Sequence, residues 1–111
     1  MAEFSNKPWG DFGESDYTLE QWHEACLIHL HEGQMTSKAE CKLAVKEPGG
    51  MYNRNGIHAA AAALAGARTP LKAPPEEKRK AARKLISLYR QMDALAPEST
   101  YRIAGEKRPN E

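Results

Sequence analysis

Three side chains able to bind a soft metal, His23, Cys26 and His29, stand three residues apart in the first third of the chain. On a helix they would descend one face, and Cys41 or His31 would complete four ligands around zinc. The spacing fits no standard zinc pattern. Positions i, i+3 and i+6 drift by about 60° per step around a helix, and the Cys-x-x-Cys pairs of structural zinc sites are absent. Cys26 lies within Ala25-Cys26-Leu27-Ile28, where a buried thiol behaves as a small hydrophobe. No metal is expected. Nucleophilic catalysis fares no better: there is no Gly-x-Ser-x-Gly elbow, and His58 can be set against Cys41 or Ser37 only as an isolated pair. The expectation is a protein that is not an enzyme and carries no cofactor.

Anion chemistry leaves more to hold. Glu47-Pro48-Gly49-Gly50 followed by Asn53-Arg54-Asn55-Gly56 resembles a glycine-containing cradle at a helix start, yet it matches neither phosphate-binding fingerprint. Turn and capping chemistry account for those glycines and asparagines. Arg54 is the exception, because a guanidinium beside free helix N–H groups can hold a partner's carboxylate or phosphate. The strongest candidate surface is a basic helix face built from Arg79, Lys80, Arg83 and Arg90, with Lys78, Lys84 and the upstream Arg68 and Lys72 nearby. Rows of this kind recognise backbone phosphates or acidic proteins. The alternative is a solvated face supported by Glu76, four residues before Lys80. The long link from Arg68 to Pro75 is not the turn of a helix-turn-helix reader.

These residues sit in a chain of 111 residues, 41% hydrophobic, enough for one core and one domain. Its net charge of +1 hides a division at Thr36: seven acids face the single base Lys7 before it, net −6, and fifteen bases face eight acids after it, net +7. An acidic part either shields the basic one or leaves it free for an acidic partner. No apolar run approaches the roughly eighteen residues of a membrane span, the start lacks the marks of a signal peptide, and two cysteines are too few for a disulfide scaffold. The expectation is a soluble intracellular chain with reduced thiols and no membrane partner.

Four elements and two ends must position the candidates. Residues 1–15 read as an irregular arm around Pro8, Gly10 and Gly13, pinned by Trp9 and Phe12. Thr18 caps a helix over 19–32, with Gln21 completing a capping box, Tyr17 stapled to Trp22, and Gly33 as the stop. A strand at 42–46 turns through a type II Pro48-Gly49 pair into an answering strand at 51–52. Asn53 or Asn55 caps an alanine-rich central helix that Thr69-Pro70 closes. Pro74-Pro75 opens the basic helix, which ends near Ala94. Residues 97–111 read as a flexible C-terminal tail. The domain proper is 16–96, and the fold class is mainly α with a small β-hairpin (α+β), a compact three-helix single domain. Its expected core is Trp22, Cys26, Leu30, Leu43, Val45, Ile57, Leu64, Leu85, Ile86, Leu88, Tyr89 and Met92.

Pro8-Trp9-Gly10-Asp11 through Tyr17-Thr18-Leu19-Glu20-Gln21-Trp22 and Ala25-Cys26-Leu27-Ile28, then Lys42-Leu43-Ala44-Val45-Lys46-Glu47-Pro48-Gly49-Gly50 into Asn53-Arg54-Asn55-Gly56-Ile57-His58-Ala59-Ala60-Ala61, and finally Ala81-Ala82-Arg83-Lys84-Leu85-Ile86-Ser87-Leu88-Tyr89-Arg90 resemble a small domain of tailed bacteriophages and prophages. That domain accompanies capsid maturation (prohead) proteases and head-assembly proteins and has no established catalytic residues. These 111 residues hold no protease domain, and the expectation is the module standing alone. The resemblance implies a phage-encoded, non-enzymatic interaction module of head assembly, in the host cytoplasm or on the virion. Its partner would be a phage or host protein with an acidic surface, and the alternative is DNA or RNA on the same basic helix.

Overall fold

Thr18 opens the first helix as its sequence requires. In the computed structural model, which describes residues 4–30, 33–34, 36–66 and 71–109, its hydroxyl accepts from the Gln21 N–H at 3.1 Å and the Gln21 side chain accepts from the Thr18 N–H at 2.8 Å. The helix, α1 (Leu19–Ala25), is nevertheless only seven residues long. At Cys26 the backbone becomes extended and continues as β2 (Cys26–His29), pairing antiparallel with β3 (Cys41–Ala44). The expected helix over 19–32 is thus corrected. A short apolar run such as Cys-Leu-Ile satisfies both periods, and the strand buries Cys26 and Ile28 on one face, Ile28 completely. Leu30, expected in the core, is 39% exposed as a result.

The expected hairpin of 42–46 with 51–52 is also recast. Its turn forms, with the Gly50 N–H donating to the Glu47 carbonyl at 2.8 Å. The left-handed residue is Gly50 at φ +98° rather than Gly49, so the turn is not type II. Across it only the bridge Lys46 to Tyr52 remains antiparallel. β3 takes its ladder from β2, and β4 (Tyr52–Asn53) pairs in parallel with β1 (Phe4–Ser5), placing a strand in the arm expected to be irregular. These non-local pairings leave no short-range signature.

Asn53 ends β4 and caps α2 (Arg54–Leu64), its side-chain oxygen accepting from the Gly56 N–H at 2.8 Å. The same amide donates to the Lys7 carbonyl at 3.0 Å and to Glu47 Oε2 at 2.9 Å, so one fully buried side chain ties together arm, turn and helix. The alanine-rich helix, expected to be central, buries one face, with Ile57, Ala60, Ala61 and Leu64, and leaves His58, Ala59, Ala62 and Ala63 exposed on the other. Pro75 stands first in α3 (Pro75–Gln91), whose stripe of Ala81, Ala82, Leu85, Ile86, Leu88 and Tyr89 is buried as its spacing predicts.

The C-terminal segment expected as a tail carries a fourth helix, α4 (Glu98–Ala104), packed on α3 with Thr100, Tyr101 and Ala104 buried. Pro97 and the left-handed Gly105 are its punctuation, not signs of disorder. The fold is therefore mixed α+β with four helices and two two-stranded sheets among the described residues, not three helices. Its Cα radius of gyration, 13.5 Å, is close to the roughly 13 Å expected of one compact domain this long. No helix among the described residues is long and apolar enough to cross a membrane.

Candidate functional site

The basic face of α3 is exposed where the 100° rule places it, opposite the buried stripe: Arg79, Lys80, Arg83 and Arg90 all reach solvent, as does Lys72 before the helix. Two of them are partnered. Lys80 Nζ lies 3.5 Å from Glu77 Oε2, and Arg83 Nε lies 3.8 Å from Glu106 Oε2. The Lys80 partner is Glu77, one residue later than the expected Glu76. Lys72, Arg79 and Arg90 make no ion pair among the described residues, and Arg68 lies outside them.

Arg54 does not stand apart at the start of α2. Its guanidinium lies over the Phe4 ring, 5.3 Å from the centroid. Phe4 in turn meets Tyr52 across the parallel β1–β4 pair, centroids 5.9 Å apart. Over the Tyr52 ring stand Lys46 Nζ at 4.9 Å and Lys84 Nζ at 5.8 Å. Three cations from separate segments thus converge on two half-buried rings, and among the described residues none of the three has a carboxylate within salt-bridge distance. Each cation–ring contact is worth about 0.5–1 kcal/mol at an exposed site, less than a well-made ion pair with hydrogen bonds would supply. Sequence reasoning singled out Arg54 and the α3 face but not Phe4, Lys46 or Tyr52: the non-local β1–β4 pairing brings Phe4 to Tyr52, and the bridge across the turn brings Lys46 to it.

The histidine and cysteine candidates also meet, in a different way than expected. His29 Nδ1 lies 3.2 Å from Cys41 Sγ, the His23 and His29 rings are 4.6 Å apart, and Cys26 and Cys41 are buried together beside Trp22. Burial first, then the neighbouring Cys41 and Glu14, pushes the Cys26 thiol well up; burial and then Glu40 pushes Cys41 up. Both are therefore protonated at neutral pH, the opposite of an activated cysteine, whose thiolate is the nucleophile. His58 meets Tyr89, Nδ1 to Oη 2.7 Å. Among the described residues no group of three or more His, Cys, Asp or Glu is arranged to hold a metal ion, and His31 lies outside them.

Glu47 is the buried carboxylate behind the cationic cluster. Burial pushes its carboxyl up, but hydrogen bonds from Ser5 and Asn53 and the charge of Lys7 outweigh that and hold it below the ordinary carboxylate range. It is a structural charge, fixed before any ligand arrives. Compared with known protein families, curated proteins and solved structures, the chain matches none.

Proposed function

We propose that this chain is a non-enzymatic interaction module that docks an acidic protein partner through the Phe4–Tyr52 cation cluster and the adjoining outer face of α3. The observation that carries the reading is the convergence of Lys46, Arg54 and Lys84 on one ring pair with no carboxylate in reach among the described residues. Lys80 precedes Lys84 by one helical turn, so α3 prolongs the surface, and Arg79, Arg83 and Arg90 border it. Complementary charge of this kind steers encounter and selects partners more than it adds raw affinity. The phage setting, a role in head assembly, and a place in the host cytoplasm or on the virion rest on the sequence resemblance.

A second reading has its own observation. A half-exposed ring pair set among cations is also how single-stranded nucleic acid is held, by stacking bases within a basic groove. An amide chemical-shift titration separates the two, using a glutamate-rich peptide and a short single-stranded oligonucleotide at about 50 and 200 mM salt. The protein-partner reading expects peptide-induced shifts at 52–54 and 78–90 that Arg79→Glu with Arg90→Glu abolishes. Binding of the oligonucleotide alone, with log affinity falling against log salt by about 0.7 per phosphate neutralised, would put nucleic acid in its place. No shifts with either ligand would overturn both.

A further inference from the structure

The acidic part of the chain builds a second concave feature that the cationic surface does not use. A cleft of 230 Å³ is lined by Trp9, Phe12, Tyr17 and Trp22, by alanines of α2, and by Glu14. Four of the chain's eight aromatic residues, including both tryptophans, fall within residues 9–22 and line this one cleft. The rings are held in place. Tyr17 Oη donates to the Lys46 carbonyl at 2.5 Å, and Trp22 Nε1 donates to the Lys38 and Cys41 carbonyls at 2.9 and 3.3 Å. Tyr17 and Trp22 meet edge to face at 5.0 Å, and Trp9 and Phe12 are tilted together at 6.0 Å. Trp9 also lies so close over α2 that a β-carbon on Gly56 would come within 2.9 Å of its ring. Leu43, which lines the cleft as well, keeps a left-handed backbone at φ +66° that a leucine adopts only at a cost.

The polar handles of Tyr17 and Trp22 are taken up by backbone carbonyls, so those rings line the cleft with their donors already engaged. Aromatic faces attract cations through their quadrupole, and the attraction is strongest for a cation that gives up little hydration and needs no hydrogen bonds. Charge points the same way. Glu14 is the one charged residue that lines the cleft, and its exposed side chain makes no ion pair among the described residues. We infer that this cleft is a binding site for a quaternary ammonium group, of the trimethylammonium class. The group comes either from a free organic cation or from a trimethylated lysine side chain. The inference does not rest on the proposed function, since the two sites share no residue.

Indole N–H shifts of Trp9 and Trp22, with tryptophan emission, follow a titration with choline chloride, its neutral isostere 3,3-dimethylbutan-1-ol, and sodium chloride as the ionic control. Choline is expected to saturate both indole signals and to bind about tenfold more tightly than the isostere. Phe12→Leu, which keeps an apolar side chain at the site, should weaken choline by several fold without unfolding the protein, and Glu14→Gln should weaken it less. Equal binding of choline and the isostere would overturn the inference, leaving an apolar pocket, as would no indole shift with any probe. A short trimethyllysine peptide and its unmodified form identify the source. Trimethyllysine binding more tightly than choline assigns the site to a side chain, and choline binding as tightly or more so assigns it to a free cation; binding of the unmodified peptide equal to the methylated one counts against the inference.

Discussion

The aromatic cleft and the cationic cluster both set charge against rings, and they are built on opposite principles. The cleft draws its rings from a single stretch, residues 9–22, whose caps and staple are written locally and whose Tyr17 and Trp22 handles are locked to backbone carbonyls. The cluster draws Phe4, Lys46, Tyr52, Arg54 and Lys84 from across the chain and, among the described residues, holds the cations by ring contacts with no ion pair. Disturbing the first should therefore cost stability, while disturbing the second should cost binding and leave the fold unchanged. The two meet at Asn53, which fixes β4 beneath Tyr52 and, through Gly56, the turn of α2 on which Trp9 rests.

Asn53→Ala is accordingly the variant that affects both regions, with the largest expected effect. It removes the α2 cap and leaves Glu47, 9% exposed, without one of its hydrogen bonds. A loss of about 2–4 kcal/mol is expected in urea denaturation, with both the indole and the Tyr52 signals displaced. A loss confined to one region would break the idea of a shared hinge. Acid denaturation tests the same network. The Glu47 carboxyl is held below its unfolded value, so its contribution is complete above the ordinary glutamate range and is lost as pH falls through the lower folded value. Glu47→Gln should flatten that acid slope, read as the change in urea midpoint between neutral and acidic pH.

Tyr17 supplies the next test, on the cleft and on its one bond to the Lys46 backbone. Burial, then the charges of Cys26, Glu47 and Asp16, raises its hydroxyl from 10.0 to about 12. A raised folded value means that the unfolded chain loses this proton first. The stabilisation is therefore whole below pH 10 and lost as pH rises towards 12. Tyr17→Phe forfeits the bond to the Lys46 carbonyl, about 1 kcal/mol, and should abolish this alkaline loss. Ultraviolet titration of the phenolate alongside denaturation checks both. If Tyr17 ionised near its ordinary value in the folded protein, the cleft would be looser than its hydrogen bonds imply.

Legibility in the sequence followed the range of the interactions. Thr18 with Gln21, an asparagine cap for α2 at either Asn53 or Asn55, and the α3 stripe were readable because each is settled by residues close in sequence. The change from α1 to β2 was not, since Cys26 and Ile28 are apolar on either period and only pairing with β3, twelve or more residues away, favours the strand. Helix α4 left a readable signal in Pro97, Gly105 and the spacing of Thr100, Tyr101 and Ala104, which polar composition obscured. The same rule divides the sites. Arg54 and the α3 face could be named from spacing, and Trp9 and Phe12 could be named as anchors of the arm. That Phe4 would lie beside Tyr52 and under Arg54 depends on a two-residue parallel pairing that no local pattern encodes, whereas Lys46 meets Tyr52 through the bridge across the expected turn.

The smallest effects belong to the two ion pairs at the border of the cationic surface. Lys80–Glu77 and Arg83–Glu106 are long contacts between exposed or partly exposed side chains, with Lys80 67% and Arg83 59% accessible. Solvent screening and the entropy of holding long side chains in place leave such pairs worth about 0–1 kcal/mol. Lys80→Ala and Arg83→Ala should each shift the denaturation free energy by less than about 0.5 kcal/mol, and less again at high salt. Glu106→Gln provides the sharper contrast. It frees Arg83 from its carboxylate while leaving α4 packed on α3, so affinity for an acidic peptide should rise slightly as stability stays unchanged. A stability loss with no change in peptide affinity would mean that Arg83 serves to fasten the C-terminal segment, and the docking surface would then contract to Lys46, Arg54 and Lys84 around their two rings.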